Sequence, residues 1–169
     1  MKKLILLRHA IAQDRAAAMT RGVQNAQRPL TPRGREKMRR GVQGLQALQP
    51  HLDLLLTSPL RRALQTAQIV MHAYPQPVVV KKSAALLPGA KLQALLDVLD
   101  EYPDLTSVMC VGHEPGLSRL ASELIMGRHE NLLNLKKGGA CLLEFPRKFR
   151  AGDARLGWLL TPRLLRQLK

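Results

Sequence analysis

The sequence predicts an α/β protein of three layers, in which a mostly parallel sheet carries helices on both faces. Short apolar runs alternate with helical periods along the chain, and helix-start signals follow the predicted strands. No repeat, low-complexity stretch or linker divides the 169 residues. Because a chain of this length can bury one hydrophobic core, we expect a single domain over residues 1–169.

The first predicted strand, Lys3–Leu7, is an apolar run that ends at Arg8 and His9. A helix is predicted after Thr31, which suits the N-cap position, with Pro32 as the first helical residue. The apolar positions of this helix recur at three- and four-residue spacing, at Met38, Val42, Leu45 and Leu48.

The second predicted strand, Leu52–Leu56, is also followed by a possible cap residue and a proline that mark the start of a helix. Ser58 can cap a helix that opens at Pro59, and a short third strand follows at Val78–Lys81. The predicted apolar face of this helix consists of Leu60, Leu64, Ala67 and Met71.

The second half of the chain continues the alternation. A strand at Ser107–Val111 precedes a helix that opens at Pro115, and strands at Ala140–Phe145 and Arg155–Leu160 should lie near one edge of the sheet. Before them comes an amphipathic helix marked by Leu92, Leu95, Leu96 and Leu99. Residues 10–30 lack clear periodicity and contain Arg15, Arg21 and Arg28, which fits an active-site flap or a disordered loop equally well.

The chain is strongly basic, with 27 Lys and Arg against 12 Asp and Glu and a net charge of +15. This excess suits a polyanionic partner or a phosphorylated substrate, or is simply a solvated surface. Nucleic acid is not expected, because aromatic residues that could stack on bases make up only 3% of the chain.

Several features argue for a cytoplasmic protein that needs no metal or other cofactor. The N-terminal apolar run ends after four residues, too short for a signal peptide or a membrane span. Cys110 and Cys141 lie in apolar runs and are predicted to be buried thiols, and no ligand spacing typical of a metal site occurs. His51, His72 and His129 are interpreted as surface residues. Separately, the protein is expected to be a monomer.

Three predicted strands end in residues that suit phosphate binding. The first ends at Arg8 and His9, the second leads through Ser58 to Arg61 and Arg62, and the fourth ends at Gly112 and His113. Ligands of open α/β sheets bind outside the carboxyl ends of the strands, and the helix starts that follow favour anions. If these strands are parallel, the sequence predicts a pocket for a phosphoryl group at one sheet edge.

These motifs resemble the histidine phosphatase superfamily, which has the phosphoglycerate mutase-like fold. The resemblance rests on the segments 8–10 (Arg-His-Ala), 58–67 and 112–113 in this order, and it covers most of the chain up to about Phe145. Segment 28–34 and the small size further resemble the SixA-type branch, the protein phosphohistidine phosphatases.

The resemblance implies that His9 is the nucleophile that becomes phosphorylated. Arg8, Arg62 and His113 would surround the phosphoryl oxygens, with His113 protonated, while Ser58 would donate a hydrogen bond at the pocket edge or serve only as a cap. Of the two adjacent arginines, the family pattern of Arg followed by Ala selects Arg62. Neighbouring cations should keep the His9 imidazole uncharged, as attack on phosphorus requires.

Two departures from the family pattern concern the residue after His9 and the general acid. Ala10 stands where glycine is common, although its carbonyl can still orient the imidazole. Residues 84–90 contain no carboxylate where many members carry an acid for an alcohol leaving group, and this lack resembles the SixA-type branch. Glu114 and Asp14 are the remaining candidates for an acid.

The leading hypothesis is hydrolysis of phosphohistidine on a protein through a covalent phosphohistidine intermediate on the enzyme. The alternative within the same superfamily is a phosphatase for small phosphate esters. A third hypothesis, from a different class, is a basic binding protein on an inactive phosphatase scaffold. The complete set of Arg8, His9, Arg62 and His113 argues against it.

Overall fold

One six-stranded sheet organises the computed structural model, which describes residues 1–76, 78–130 and 132–168. In sheet order the strands are β3 (Val79–Lys82), β2 (Leu54–Thr57), β4 (Ser107–Gly112), β1 (Lys2–Arg8), β5 (Ala140–Phe145) and β6 (Arg155–Leu160). The first four of these are mutually parallel, and the last two pair antiparallel at one edge. The predicted fold class and the edge position of the last two strands are confirmed.

Helices cover both faces of the sheet, as predicted. They are α1 (Arg15–Thr20), α2 (Pro32–Leu48), α3 (Arg61–Ala73), α4 (Leu92–Asp100), α5 (Gly116–Met126) and α6 (Pro162–Leu165). Side chains of α2, α3 and α6 pack on the face that contains Ile5 and Leu7, and those of α4 and α5 pack on the face of Leu4 and Leu6. This alternation follows from the two-residue period of a strand, and it gives each face its own aliphatic core.

Helix α2 begins as its sequence predicts, with Pro32 in the first turn. The Thr31 hydroxyl accepts a hydrogen bond from the Gly34 amide at 2.9 Å and so caps the helix. A Cβ at Gly34 would collide with the carbonyl oxygen of Ile11, so this glycine allows the helix start to pack directly on the chain that follows His9.

Other predicted helix details were wrong, and tertiary contacts explain why. Helix α3 begins at Arg61 rather than Pro59, and its N-cap residue is Leu60. Its buried face includes the polar residues Arg62 and Thr66. Because these two residues face the protein interior, part of the predicted apolar face is exposed to solvent. Met71 of that predicted face is exposed, and so is Leu48 at the end of α2. Buried positions of α3 are Arg62, Ala63, Thr66, Ala67 and Val70.

The segment 10–30 is partly ordered by local hydrogen bonds. The Asp14 carboxylate accepts a hydrogen bond from the Ala17 amide and caps α1, and an isolated bridge joins Ala12 to Leu30. A 3₁₀ turn at Asn25–Gln27 follows. No helix in the described ranges is long and apolar enough to cross a membrane.

Candidate active site

The carboxyl ends of β1, β2 and β4 meet at one edge of the sheet. Arg8 pairs with Gly112, and Thr57 pairs with Val111 one position earlier, so the residues after the three strands are neighbours. Backbone hydrogen bonds extend this register past the strand ends: the His9 amide donates to Gly112, and the Ser58 amide donates to Val111. The parallel register thus brings together the three motifs that the sequence places after these strands.

His9 is held with one ring nitrogen directed into the pocket. Its side chain is 6% exposed, and Nδ1 lies 2.7 Å from the carbonyl oxygen of Ala10, which can only accept a hydrogen bond. Nδ1 therefore carries the proton, and the lone pair is on Nε2. Nε of Arg62 donates to that nitrogen at 3.3 Å.

The electrostatics of the pocket keep His9 uncharged. Burial above all, together with the charges of His113, Arg62 and Arg8, lowers the pKa of His9 to about 3. The hydrogen bond to Ala10 opposes this shift. The prediction that neighbouring cations favour the neutral imidazole is confirmed in direction, but desolvation contributes more than the cations do.

His113 faces His9 across the pocket, with ring centroids 5.1 Å apart. Its Nε2 lies 2.8 Å from the Ser58 hydroxyl, and its Nδ1 is buried with no hydrogen-bond partner among the described residues. Burial first, then the charges of Arg62, Arg28 and Arg8, lower the pKa of His113 to about 4. The His113 imidazole is therefore neutral near neutral pH on its own, and the protonated form expected during phosphoryl transfer needs the negative charge of a phosphoryl group beside it.

Two arginines complete the pocket. Arg62 is 4% exposed, and one of its terminal nitrogens donates to the carbonyl oxygen of Asn25 at 3.0 Å. Burial lowers the pKa of Arg62 to about 10, with smaller contributions from Arg28 and Arg15. Arg8 donates to the carbonyl oxygen of Leu135 at 2.7 Å, while its buried Nε has no partner in the described part of the chain.

Ser58 lies inside the pocket wall rather than capping a helix. Its side chain is fully buried, and its hydroxyl contacts His113 and accepts a weak hydrogen bond from the Leu60 amide at 3.3 Å. The capping interpretation from sequence is therefore wrong. Arg61, by contrast, is exposed, as the family pattern implied, and one of its terminal nitrogens donates to the carbonyl oxygen of Gln27 at 3.4 Å.

The two candidate acids have other hydrogen-bond partners. Glu114 accepts bonds from the Ser118 hydroxyl at 2.7 Å and from the Leu135 amide at 3.1 Å, so it ties helix α5 to a neighbouring loop. Asp14 is exposed, and the amide of Ala17 is the main cause that lowers the pKa of its carboxyl. Both carboxylates thus act as acceptors in the structure.

The wall where many relatives carry an acid is apolar here. Ala84–Leu86 forms a 3₁₀ turn, and a cavity of about 10 Å³ beside it is lined by Ala85, Leu87, Ala90 and His113 among others. Within residues 1–76, 78–130 and 132–168, no group of three His, Cys, Asp or Glu side chains is placed to hold a metal ion.

Sequence reasoning missed three groups that position the site. The Thr66 hydroxyl accepts from the Ala10 amide at 3.0 Å and donates to the Arg62 carbonyl at 2.8 Å, so it joins the nucleophile loop to α3. The Gly138 amide donates to the carbonyls of Arg8 and His9, and Asn25 supports Arg62. The four-residue spacing of Thr66 from Arg62 was the only signal, since both then lie on one helix face.

Comparison with known proteins identifies the family. The model of the histidine phosphatase superfamily (branch 1) matches residues 4–85. An uncharacterized protein of Picosynechococcus sp. is 38% identical over 159 residues, which cover 91% of this chain and 88% of that protein. An uncharacterized chloroplastic protein of Arabidopsis thaliana is 29% identical over 85% of this chain and 66% of its own length.

Solved structures share the fold at low sequence identity. The protein histidine phosphatase SixA, in complex with tungstate, aligns with a TM-score of 0.80 at 22% identity, over 96% of this chain and 99% of that one. A mycobacterial glucosyl-3-phosphoglycerate phosphatase aligns with a TM-score of 0.72 at 17% identity, over 95% and 100% of the two chains. The chain belongs to the histidine phosphatase superfamily, and it is a phosphatase.

Proposed function

We propose that the protein hydrolyses phosphohistidine on a protein substrate, with His9 as the nucleophile. The observation that carries this proposal is the contrast between the two sides of the pocket. His9 is neutral, contacts Arg62 and faces His113, and Arg8 precedes it in the chain, so these four groups can receive a phosphoryl group. The apolar wall at residues 84–90, by contrast, offers no carboxylate to a leaving group.

In the first step, the lone pair of His9 Nε2 forms a bond to phosphorus, and the bond from phosphorus to the substrate nitrogen breaks. The substrate imidazole leaves as a neutral ring when its other nitrogen already carries a proton. An alcohol, by comparison, needs a proton on the departing oxygen itself, which is the work of a general acid. An acid-poor pocket therefore suits a phosphoramidate better than an ester.

In the second step, water attacks the phosphorus on His9, phosphate leaves, and the lone pair returns to Nε2. Charge on the three equatorial oxygens needs donors that are already in place. Arg8 Nε and His113 Nδ1, which have no hydrogen-bond partner among the described residues, can supply two such donors. A bound phosphoryl dianion would also raise the pKa of His113, so the protonated form becomes accessible once substrate arrives.

The structural likeness to SixA supports this proposal, but it does not exclude esters as substrates. The glucosyl-3-phosphoglycerate phosphatase and a phosphoserine phosphatase of Entamoeba histolytica, with a TM-score of 0.64, share the same fold. A small-molecule phosphomonoester phosphatase is therefore the second candidate.

A single domain over residues 1–169, a monomeric state and a cytoplasmic location remain predictions.

The proposal is tested by phosphate release from a histidine-phosphorylated protein, with a phosphomonoester assayed in parallel. We expect the wild-type protein to prefer the phosphohistidine substrate and His9→Ala to release none, whereas His51→Ala, a change at an exposed histidine, keeps full activity. Preference for the ester would move the function to the second candidate. Equal activity of wild type and His9→Ala would refute the mechanism.

A further inference from the structure

A basic groove lies between α2 and α6, beside the pocket of His9. Two cavities of about 220 and 430 Å³ share Lys37, Arg163 and Arg166 in their walls and so form one continuous depression. The cations that define the basic groove are Arg33, Lys37, Arg40, Lys136, Lys137, Arg163 and Arg166. Glu36 is the carboxylate that lines it.

The cations of the basic groove are not neutralised within the described part of the chain. The three ion pairs found there are His51–Asp53, Arg128–Glu130 and His129–Glu123, all outside the groove. Side-chain hydrogen bonds of the described residues involve other arginines, such as Arg8, Arg21 and Arg61, and none of the seven cationic side chains of the groove. Like charges held close together without partners destabilise a surface, unless an anion binds there.

The groove opens at the sheet edge that carries the active site. Ala10 and Gly138 line it, and these are the residues that hold the His9 ring and backbone by hydrogen bonds. The pairing of Ala140 with both Leu7 and Leu160 brings the ends of β1 and β6 to the same level. A macromolecule that inserts a phosphorylated side chain towards His9 would therefore extend over this groove.

The lining favours an acidic polypeptide over nucleic acid. Ile11, Met38 and Pro162 add apolar side chains to the lining beside the cations, and none of the described residues that line the two cavities is aromatic and could stack on a base. An acidic polypeptide can satisfy both kinds of lining residue, because its carboxylates can pair with the cations while its apolar side chains pack against the apolar residues.

We propose that the basic groove docks an acidic segment of the phosphoprotein substrate, next to the phosphohistidine that enters the His9 pocket. This proposal rests on the proposed function for the identity of the substrate. The groove would raise the affinity for that substrate without contributing to the chemical step, so its effect belongs in KM rather than kcat.

The test compares two variants with the same change in charge. One lies in the groove near the carboxyl end of β1, and the other lies at the opposite end of the strands, near the start of β1. Lys37→Glu/Arg163→Glu reverses two charges of the groove, and Arg147→Glu/Lys148→Glu reverses two exposed charges in the turn between β5 and β6. We expect the groove variant to lower kcat/KM about tenfold or more for a histidine-phosphorylated protein that carries an acidic segment. Turnover of phosphorylated imidazole should be unchanged in both variants.

A binding measurement separates this proposal from the proposed function. Fluorescence anisotropy with a labelled peptide of about ten residues, rich in glutamate and leucine, needs no catalysis; the groove variant should bind it about tenfold more weakly, and the Arg147→Glu/Lys148→Glu variant should match wild type. Equal weakening in both variants, or none in either, would overturn the proposal. So would displacement of the peptide by a lower concentration of single-stranded oligonucleotide, which would assign the groove to nucleic acid.

Discussion

Strand β1 joins two buried regions of opposite character. Leu4, Ile5, Leu6 and Leu7 are fully buried among aliphatic side chains on both faces of the sheet. The next residues, Arg8 and His9, are half-buried and buried, but their neighbours are polar and cationic. The apolar stretch and the polar end therefore share one backbone and one register while differing in every surrounding group.

The difference shows which region stabilises the fold and which performs the chemistry. Burial of each leucine of β1 contributes about 1.5–3 kcal/mol, since apolar surface leaves water. Burial of His9 and Arg62 instead disfavours their charged forms, as the lowered pKa values indicate. The aliphatic core thus offsets the free-energy cost of burying the cationic groups that can bind a dianion.

Among the residues that set the polar pocket apart from the aliphatic core, Arg62 should have the largest effect on turnover. Arg62→Ala should fold but lose about 10²–10³ in turnover, because it removes a preorganised donor from the phosphoryl pocket. The matched control is Arg61→Ala, which removes the same side chain from an exposed neighbouring position and should keep near-normal turnover. Steady-state phosphate release measures both, and a near-normal rate for Arg62→Ala would mean that the other arginine is the functional one.

The next effect concerns the dependence of stability on pH. The pKa of His9 is about 3 in the folded protein and about 6.5 when unfolded, so below about pH 6.5 the unfolded state binds a proton that the folded state lacks. Below about pH 6.5, this group should therefore lower the free energy of unfolding by about 1.4 kcal/mol for each unit by which the pH is decreased, until the pH nears the folded pKa.

Urea unfolding at about pH 7 and pH 5 tests this prediction. His9→Ala should shrink the loss of unfolding free energy between these pH values by about 2 kcal/mol relative to wild type. Ile5→Val, a core change on the same strand, should lower stability by about 1 kcal/mol equally at both pH values. An unchanged pH dependence in His9→Ala would contradict the lowered pKa.

The site residues and the strands could be predicted because both follow from regularities of the sequence. The convergence of Arg8, His9, Arg62 and His113 followed from one rule, that parallel strands present their carboxyl ends at the same edge. Strand identities followed from apolar runs such as Lys3–Leu7, because burial on both faces leaves a continuous apolar pattern.

The parts that sequence reasoning missed depend on contacts between distant segments. Ser58 has the local pattern of a helix cap, but its hydroxyl contacts His113, 55 residues away. The carbonyl of Asn25 that supports Arg62 is a backbone group and leaves no trace in residue type. Thr66 bridges 56 residues to Ala10. Such hydrogen bonds become visible only when the tertiary fold is known.

The smallest expected effect tests whether the pocket lacks a general acid. Glu114→Gln keeps a carbonyl oxygen that can accept from Ser118 and Leu135, so turnover of a phosphohistidine substrate should change less than about threefold. If Glu114 were the acid, the amide could not give up a proton, and turnover of a phosphomonoester would fall by about 10²–10⁴. The ratio of the two substrates in wild type and variant therefore distinguishes a carboxylate that ties α5 to its neighbouring loop from one that takes part in the reaction. If Glu114→Gln changes turnover of both substrates by the same small factor, the substrate imidazole departs without help from a carboxylic acid. This result would agree with the apolar wall at residues 84–90.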